Sequence, residues 1–129
     1  MANLHPILSS LRNASLAKKS FTYVPLSKVG IKFLNILYSE GFIGGFQIVH
    51  NERKVRVELV YLNKGDLALV SSLKLVSRPG FKKYLKYQDL IRFYSGSFII
   101  LSTDIGIITG TNALINRKGG EFLCMRYYF

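Results

Sequence analysis

The chain has 129 residues, enough for one ordinary domain or two small lobes, and a hydrophobic content of 49% supports a packed core and argues against disorder for most of it. Eighteen Lys and Arg against seven Asp and Glu give a formal net charge of +11, the footprint of a protein that meets a polyanion, either nucleic acid or an anionic membrane surface. A single cysteine, Cys124, excludes an internal disulfide and suits a reducing compartment, and His5 and His50 add little material for a zinc site, so neither metal nor cofactor is expected.

Leu4, Ile7, Leu8, Leu11 and Ala14 recur at helical spacing and predict an amphipathic helix over 3–16. Phe21 to Val24 is a β-like run stopped by Pro25, and Ser27 is placed to cap a second helix that Gly41 ends. Gly41 to Gly45 reads as a helix stop and turn. Phe46–His50, the polar turn Asn51–Arg53 and the alternating run Lys54–Tyr61 predict a β-hairpin. The first lobe is therefore α-β-α-β-β, covering 1–66. The second, 67–129, is mostly β with short helices: a strand over Leu67–Val76, a Pro-Gly turn at 77–80, a short helix over 88–94 and a strand over Ser97–Thr103. It continues with a helix over Thr111–Arg117 ending at Gly119-Gly120, and a last strand over Glu121–Tyr128. The fold class is α+β with two small lobes. No apolar run reaches the roughly 20 residues that cross a bilayer, and the first fifteen residues lack a secretory signal pattern.

Basic charge is spread over both lobes, nine basic and four acidic side chains in 1–72 and nine and three in 73–129, as expected of a folded body with a basic face. Between Lys74 and Tyr94 the cations Arg78, Lys82, Lys83, Lys86 and Arg92 interleave with Phe81, Tyr84, Tyr87 and Phe93. Cations attract phosphates, and exposed aromatic faces stack on bases or riboses. Tyr84 is the aromatic that suits this role, whereas Phe81 and Phe93 read as core. Leu101 to Thr109 sets Ser102, Thr103 and Gly106 in a tight turn between two apolar runs, where short hydroxyls can approach a partner closely. Glu121 could accept a hydrogen bond from a base or ribose, or pair with Arg117 or Lys118. Cys124 reads as a small buried hydrophobe. Ser102, Asp104 and two distant histidines do not form a catalytic pattern, and the acids are scattered, so no enzyme is expected.

Three ordered motifs stand out: Val76-Ser77-Arg78-Pro79-Gly80 with Tyr84, then Ser102-Thr103-x-x-Gly106-Ile107-Ile108-Thr109, then Gly119-Gly120-Glu121-Phe122-Leu123-Cys124. In that order and spacing they resemble the universal small-subunit ribosomal protein eight family, in its bacterial and organellar form. Leu11-Arg12-Asn13, Ser27-Lys28 and Glu40-Gly41-Phe42-Ile43 extend the resemblance over nearly the whole chain. It implies a structural protein that binds the central domain of small-subunit ribosomal RNA, supports its assembly and neighbours other small-subunit proteins. The Ser102-Thr103-x-x-Gly106 turn would enter an RNA minor groove, with Tyr84, Lys82 and Lys83 along the backbone, Arg78 among the RNA-binding residues, and the Gly119-Gly120-Glu121 turn supporting the same site. Arg12, Asn13 and Lys28 would meet a second RNA segment.

Asp104 and Ile105 stand where the family usually carries a small polar residue and often a basic one, the acidic-Pro-Ile opening is missing, and the chain ends in Arg126-Tyr127-Tyr128-Phe129. These departures, with a composition rich in Phe, Tyr, Ile and Lys, point to a divergent mitochondrial ribosome, with a plastid or the bacterial cytoplasm as the alternative. The alternative function is an extra-ribosomal RNA-binding translational regulator. No small-molecule substrate or homo-oligomer is expected, and membrane association is not expected because the first helix carries one Arg and no cationic face.

Overall fold

In the computed structural model, which describes residues 4–62, 68–76, 80–93 and 97–127, the chain divides into two separately packed units, Ala2–Ser72 and Leu73–Phe129. The first opens with α1 (His5–Leu16), whose Ile7, Leu8, Leu11, Ala14 and Ser15 share one buried face. Strand β1 (Phe21–Pro25) lies at a sheet edge, where a residue without an N–H is tolerated. Ser27 caps α2 (Lys28–Ser39), its Oγ accepting the Gly30 N–H at 2.9 Å. At the other end the Phe42 N–H bonds the Leu37 carbonyl at 2.9 Å and the Gly41 N–H bonds that of Tyr38 at 3.1 Å, which satisfies the last turn.

Strand β2 (Ile43–Val49) turns through a 3-10 segment, His50–Glu52, into β3 (Lys54–Leu59), and the antiparallel sheet has the order β1-β3-β2. Gly44 and Gly45, expected in a turn, belong to β2 instead. A bulge between Ile43 and Gly45 absorbs the extra residue while pairing with β3 continues. Along β3 the buried Val55, Val57 and Leu59 alternate with the half-exposed Lys54, Arg56 and Glu58. α1 contacts β1 and α2 contacts β2, so the helices line one side of the sheet. Leu11, Phe33, Leu34, Leu37 and Val57 are fully buried, each contributing about 1.5–3 kcal/mol of transfer free energy.

The strand expected over Leu67–Val76 is mostly a 3-10 turn, Leu69–Ser72, and only β4 (Lys74–Leu75) is extended; Leu67 lies outside the described residues. Local bonds won over the ladder. Ser71 Oγ donates to the Ala68 carbonyl at 2.6 Å and Ser72 Oγ to that of Leu69 at 2.7 Å, curling the backbone on itself. The Ala68 N–H is taken by the buried Ser15 Oγ at 2.7 Å and the Leu69 N–H by the Val60 carbonyl at 2.9 Å, which ties this segment to the first unit.

The second unit continues with β5 (Tyr84–Leu85), α3 (Tyr87–Phe93), β6 (Ser97–Thr103), β7 (Gly106–Thr109), α4 (Gly110–Ile115) and β8 (Gly120–Tyr127). Its antiparallel sheet has the order β4-β8-β6-β7, with β5 also paired to β8. Leu90 of α3 and Ala113 of α4 cluster with Ile99, Leu101, Phe122 and Met125, which places both helices on one side of the sheet. Helix α4, expected over Thr111–Arg117 with Gly119-Gly120 as its stop, spans Gly110–Ile115 and does not use the glycines to end. It closes earlier, through Arg117 at φ 54°, with the Lys118 N–H on the Ala113 carbonyl at 2.9 Å. Phe81, expected in the core, is 66% exposed; just after it the Phe122 N–H bonds the Lys83 carbonyl at 2.8 Å. Cys124 is fully buried, as a small hydrophobe should be. The turn at 77–79, the side chain of Phe93 and Tyr94 lie outside the described residues.

Ser15→Ala strands the buried Ala68 N–H, so urea unfolding should show a loss of about 1–3 kcal/mol, whereas Ser9→Ala should be near neutral. The Tyr61 hydroxyl donates to the Lys19 carbonyl at 2.6 Å, and burial raises its pKa above the usual 10.0. A raised folded pKa favours the protonated phenol, so this contribution is full below about pH 10 and fades as the pH climbs through the raised value. Urea midpoints of Tyr61→Phe should therefore fall less steeply than those of the parent above that pH.

Candidate nucleic-acid interface

The end of β6 presents the short hydroxyls of Ser102 and Thr103, and the register of β8 decides what stands beside them. Ser102 lies opposite Glu121 on β8, Glu121 lies opposite Tyr84 on β5, and Ser102 also lies opposite Ile107 on β7. Directly opposed residues in antiparallel strands point to the same side, so Tyr84, Glu121, Ser102 and Ile107 form one row across the sheet. The neighbouring positions Leu101 and Phe122 point into the core with Leu90 and Ala113, so the row occupies the face turned away from α3 and α4. Tyr84 is 64% exposed, Ser102 is half-buried, and Glu121 in the middle is only 7% exposed.

Two glycines make this register possible. A Cβ on Gly120 would overlap the Ser102 carbonyl oxygen, and one on Gly119 would overlap that of Leu85. Strand β8 can therefore begin between β5 and β6 only without side chains at both positions.

Within the turn the two hydroxyls have different tasks. Thr103 Oγ1 donates to the Gly106 carbonyl at 2.9 Å and accepts the Ile105 N–H at 3.2 Å, so its proton is spent on holding the turn. Gly106 adopts φ 118°, which side chains rarely allow. Ser102, beside the carboxylate of the row, is the hydroxyl placed to meet a partner. The acid in the turn is neutralised in place: Asp104 Oδ2 accepts from Lys118 Nζ at 3.0 Å. An exposed pair of this kind contributes about 0–1 kcal/mol, so its consequence is a turn carrying no net negative charge. Lys118 thus pairs with Asp104, and Glu121 is left to the row.

Around the row, Lys82 is half-buried, while Lys83 is exposed with its Nζ 5.7 Å from the Phe81 ring centroid. Arg78 lies outside the described residues. Arg12 and Asn13, half-buried and exposed on α1, and Lys28, exposed at the start of α2, belong to the first unit and form a separate set. The pairing of Lys118 with Asp104, and the exposed Phe81 ring beside Lys83, are not roles that the sequence pattern points to. Asp104 and Lys118 are fourteen residues apart and meet only through the folded register. The row offers a hydroxyl, a carboxylate acceptor and an aromatic face at fixed spacing, with cations beside them. That set suits base edges, ribose hydroxyls and phosphates together.

The family model described as ribosomal protein S8 matches residues 3–127. The chain is 34% identical over 125 residues to the small ribosomal subunit protein uS8c of Tetradesmus obliquus, covering 92% of each. It is 37% identical over 120 residues to the small ribosomal subunit protein uS8 of Helicobacter pylori strain Shi470, and 38% identical over 120 residues to that of Helicobacter acinonychis strain Sheeba, with 91% of each chain covered in both cases.

Gly120→Ala must push β8 off the Ser102 carbonyl. The expected outcome is a loss of about 1–3 kcal/mol in urea unfolding, with faster amide exchange at the start of β8, whereas Gly80→Ala, whose added carbon meets no neighbour, should leave both nearly unchanged.

Proposed function

The chain belongs to the ribosomal protein S8 family, and from that premise we propose that it is a structural constituent of the small ribosomal subunit that binds the central domain of small-subunit rRNA and supports its assembly. The observation that carries this reading is the Tyr84–Glu121–Ser102 row on the helix-free face of the second unit. In the proposed complex the Ser102 hydroxyl and the Glu121 carboxylate meet base edges or 2′-hydroxyls in a minor groove, where an RNA helix is wide and shallow. Thr103 and Gly106 hold the turn at that depth. The exposed face of Tyr84 lies along a ribose or base, and Arg78, Lys82 and Lys83 meet phosphates. Gly120 supports the site by admitting β8. Arg12, Asn13 and Lys28 contact a second RNA segment from the first unit, and neighbouring small-subunit proteins complete the surroundings.

The role is architectural, with no reaction catalysed. The ribosome we favour is mitochondrial, the support being the Asp104-Ile105 departure, the aromatic end of the chain and the Phe, Tyr, Ile and Lys content; the relatives named above leave plastid and bacterial ribosomes as the alternatives.

Titration of the full chain with a central-domain rRNA fragment tests the proposal. Affinity should fall steeply with salt. Ser102→Ala should cost about 1–3 kcal/mol with the salt slope unchanged, while Lys83→Gln should flatten the slope by about 1. Equal affinity for unrelated RNA hairpins would sink the proposal, and sedimentation as free protein rather than with small subunits would favour the extra-ribosomal regulator.

A further inference from the structure

The face of the β1-β3-β2 sheet turned away from α1 and α2 carries a second arrangement that the row does not use. Alternation on β3 leaves Lys54, Arg56 and Glu58 outward, and the register sets Phe21 opposite Glu58, Tyr23 opposite Arg56 and Gln47 on β2 opposite Arg56. The Arg56 guanidinium carbon sits 3.9 Å from the Phe21 ring centroid, and Lys54 Nζ sits 4.0 Å from that of Tyr23. The two rings meet edge to face at 5.8 Å. Glu58 Oε1 accepts from Arg56 Nε at 3.0 Å, and Lys54 forms an ion pair with Glu52. Each cation is therefore held over its ring by a carboxylate at its side.

We propose that this sheet face is a further RNA-binding surface, on which an unpaired nucleobase stacks as a third layer over the Phe21–Arg56 pair, with the Tyr23–Lys54 pair beside it. It rests on the rRNA-binding role for the identity of its RNA. Glu58 grips the guanidinium by one edge, the Arg56 side chain remains 40% exposed and Tyr23 remains 41% exposed. A planar guanidinium already ordered on a ring offers a stacking surface whose ordering has been completed before binding.

Charge selects the same occupant. Glu52 and Glu58 are neutralised by Lys54 and Arg56, while Lys18 and Lys19 lie just before β1 at the Phe21 end and Arg53 lies beside Lys54 at the other, all three exposed. The strand pairs from Phe21–Glu58 to Pro25–Lys54 span about 13 Å, so a short single strand could cross the rings with cations at both ends. A protein partner would have to bury two ion pairs and their cation-covered rings, at several kcal/mol of desolvation. A base can lie on the guanidinium and leave the ion-pair edges in water. A duplex keeps its bases stacked on one another, so the segment must be unpaired.

The test uses the full chain and two probes: an unstructured A-rich 8-mer ribo-oligonucleotide with 2-aminopurine at its centre, and the central-domain rRNA fragment. The 8-mer should bind saturably with quenching of the 2-aminopurine. Arg56→Lys keeps the charge and removes the plane, so it should weaken the 8-mer by about fivefold or more. Its affinity for the rRNA fragment should change by less than about twofold, since the two sites are independent. Phe21→Leu, with an unchanged circular dichroism spectrum, should repeat the loss. The proposal fails if the 8-mer is not quenched, if Arg56→Lys binds it like the parent, or if saturating rRNA fragment displaces it one for one. A parent chain that binds the 8-mer but prefers no rRNA fragment over unrelated hairpins contradicts the proposed function and leaves the stacking surface standing.

Discussion

The second unit depends on a backbone contact. Strand β8 has to start close against the carbonyls of Ser102 and Leu85, and it can do so only because Gly119 and Gly120 carry no side chain there. Once β8 is seated, three separate stretches of sequence are brought into line: Tyr84 from a two-residue strand, Ser102 from the end of β6, and Glu121 from β8 itself. The hydrophobic cluster of Leu90, Ile99, Leu101, Ala113, Phe122 and Met125 supplies the stability on one side of the sheet. The glycines determine which polar side chains that stability holds on the other.

A strongly basic protein that carries acids near a polyanion needs to keep those acids from repelling it. In the first unit Glu52 and Glu58 are taken up by Lys54 and Arg56, and in the second Asp104 is taken up by Lys118. These pairs are exposed and add little to stability. Their effect is on the surface potential. The acid that looked out of place in the turn is silenced by a cation from the segment leading into β8, and the same ion pair links two loops beside the candidate site. Glu121 differs in being largely buried in the row, a place suited to accepting from a specific donor.

Much of this was legible in the sequence because its causes are local. The α-β-α-β-β order of the first unit follows from Ser27, Gly41 and the alternation along Lys54–Leu59, all of which act within a few residues. The site residues around Ser102 and Glu121 could be named from motif order, but their alignment in one row could not, since it arises from a register between distant strands. Leu67–Val76 misled because apolar content favoured a strand while the Ser71 and Ser72 hydroxyls curled the backbone. Gly119-Gly120 looked like a helix stop, whereas Arg117 ends the helix and the glycines serve strand packing. Phe81 looked like core because hydrophobicity alone does not tell which aromatic in a basic run faces water.

Photocrosslinking of the full chain to a central-domain rRNA fragment carrying 4-thiouridine, followed by mass-spectrometric mapping of the attached peptides, tests the central claim most directly. The account predicts attachment within the peptides that hold Tyr84 and the Ser102–Gly106 turn, on the helix-free face, and its suppression by unlabelled fragment but not by an unrelated hairpin. Attachment confined, within the second unit, to α3 and α4 on the opposite face would contradict it.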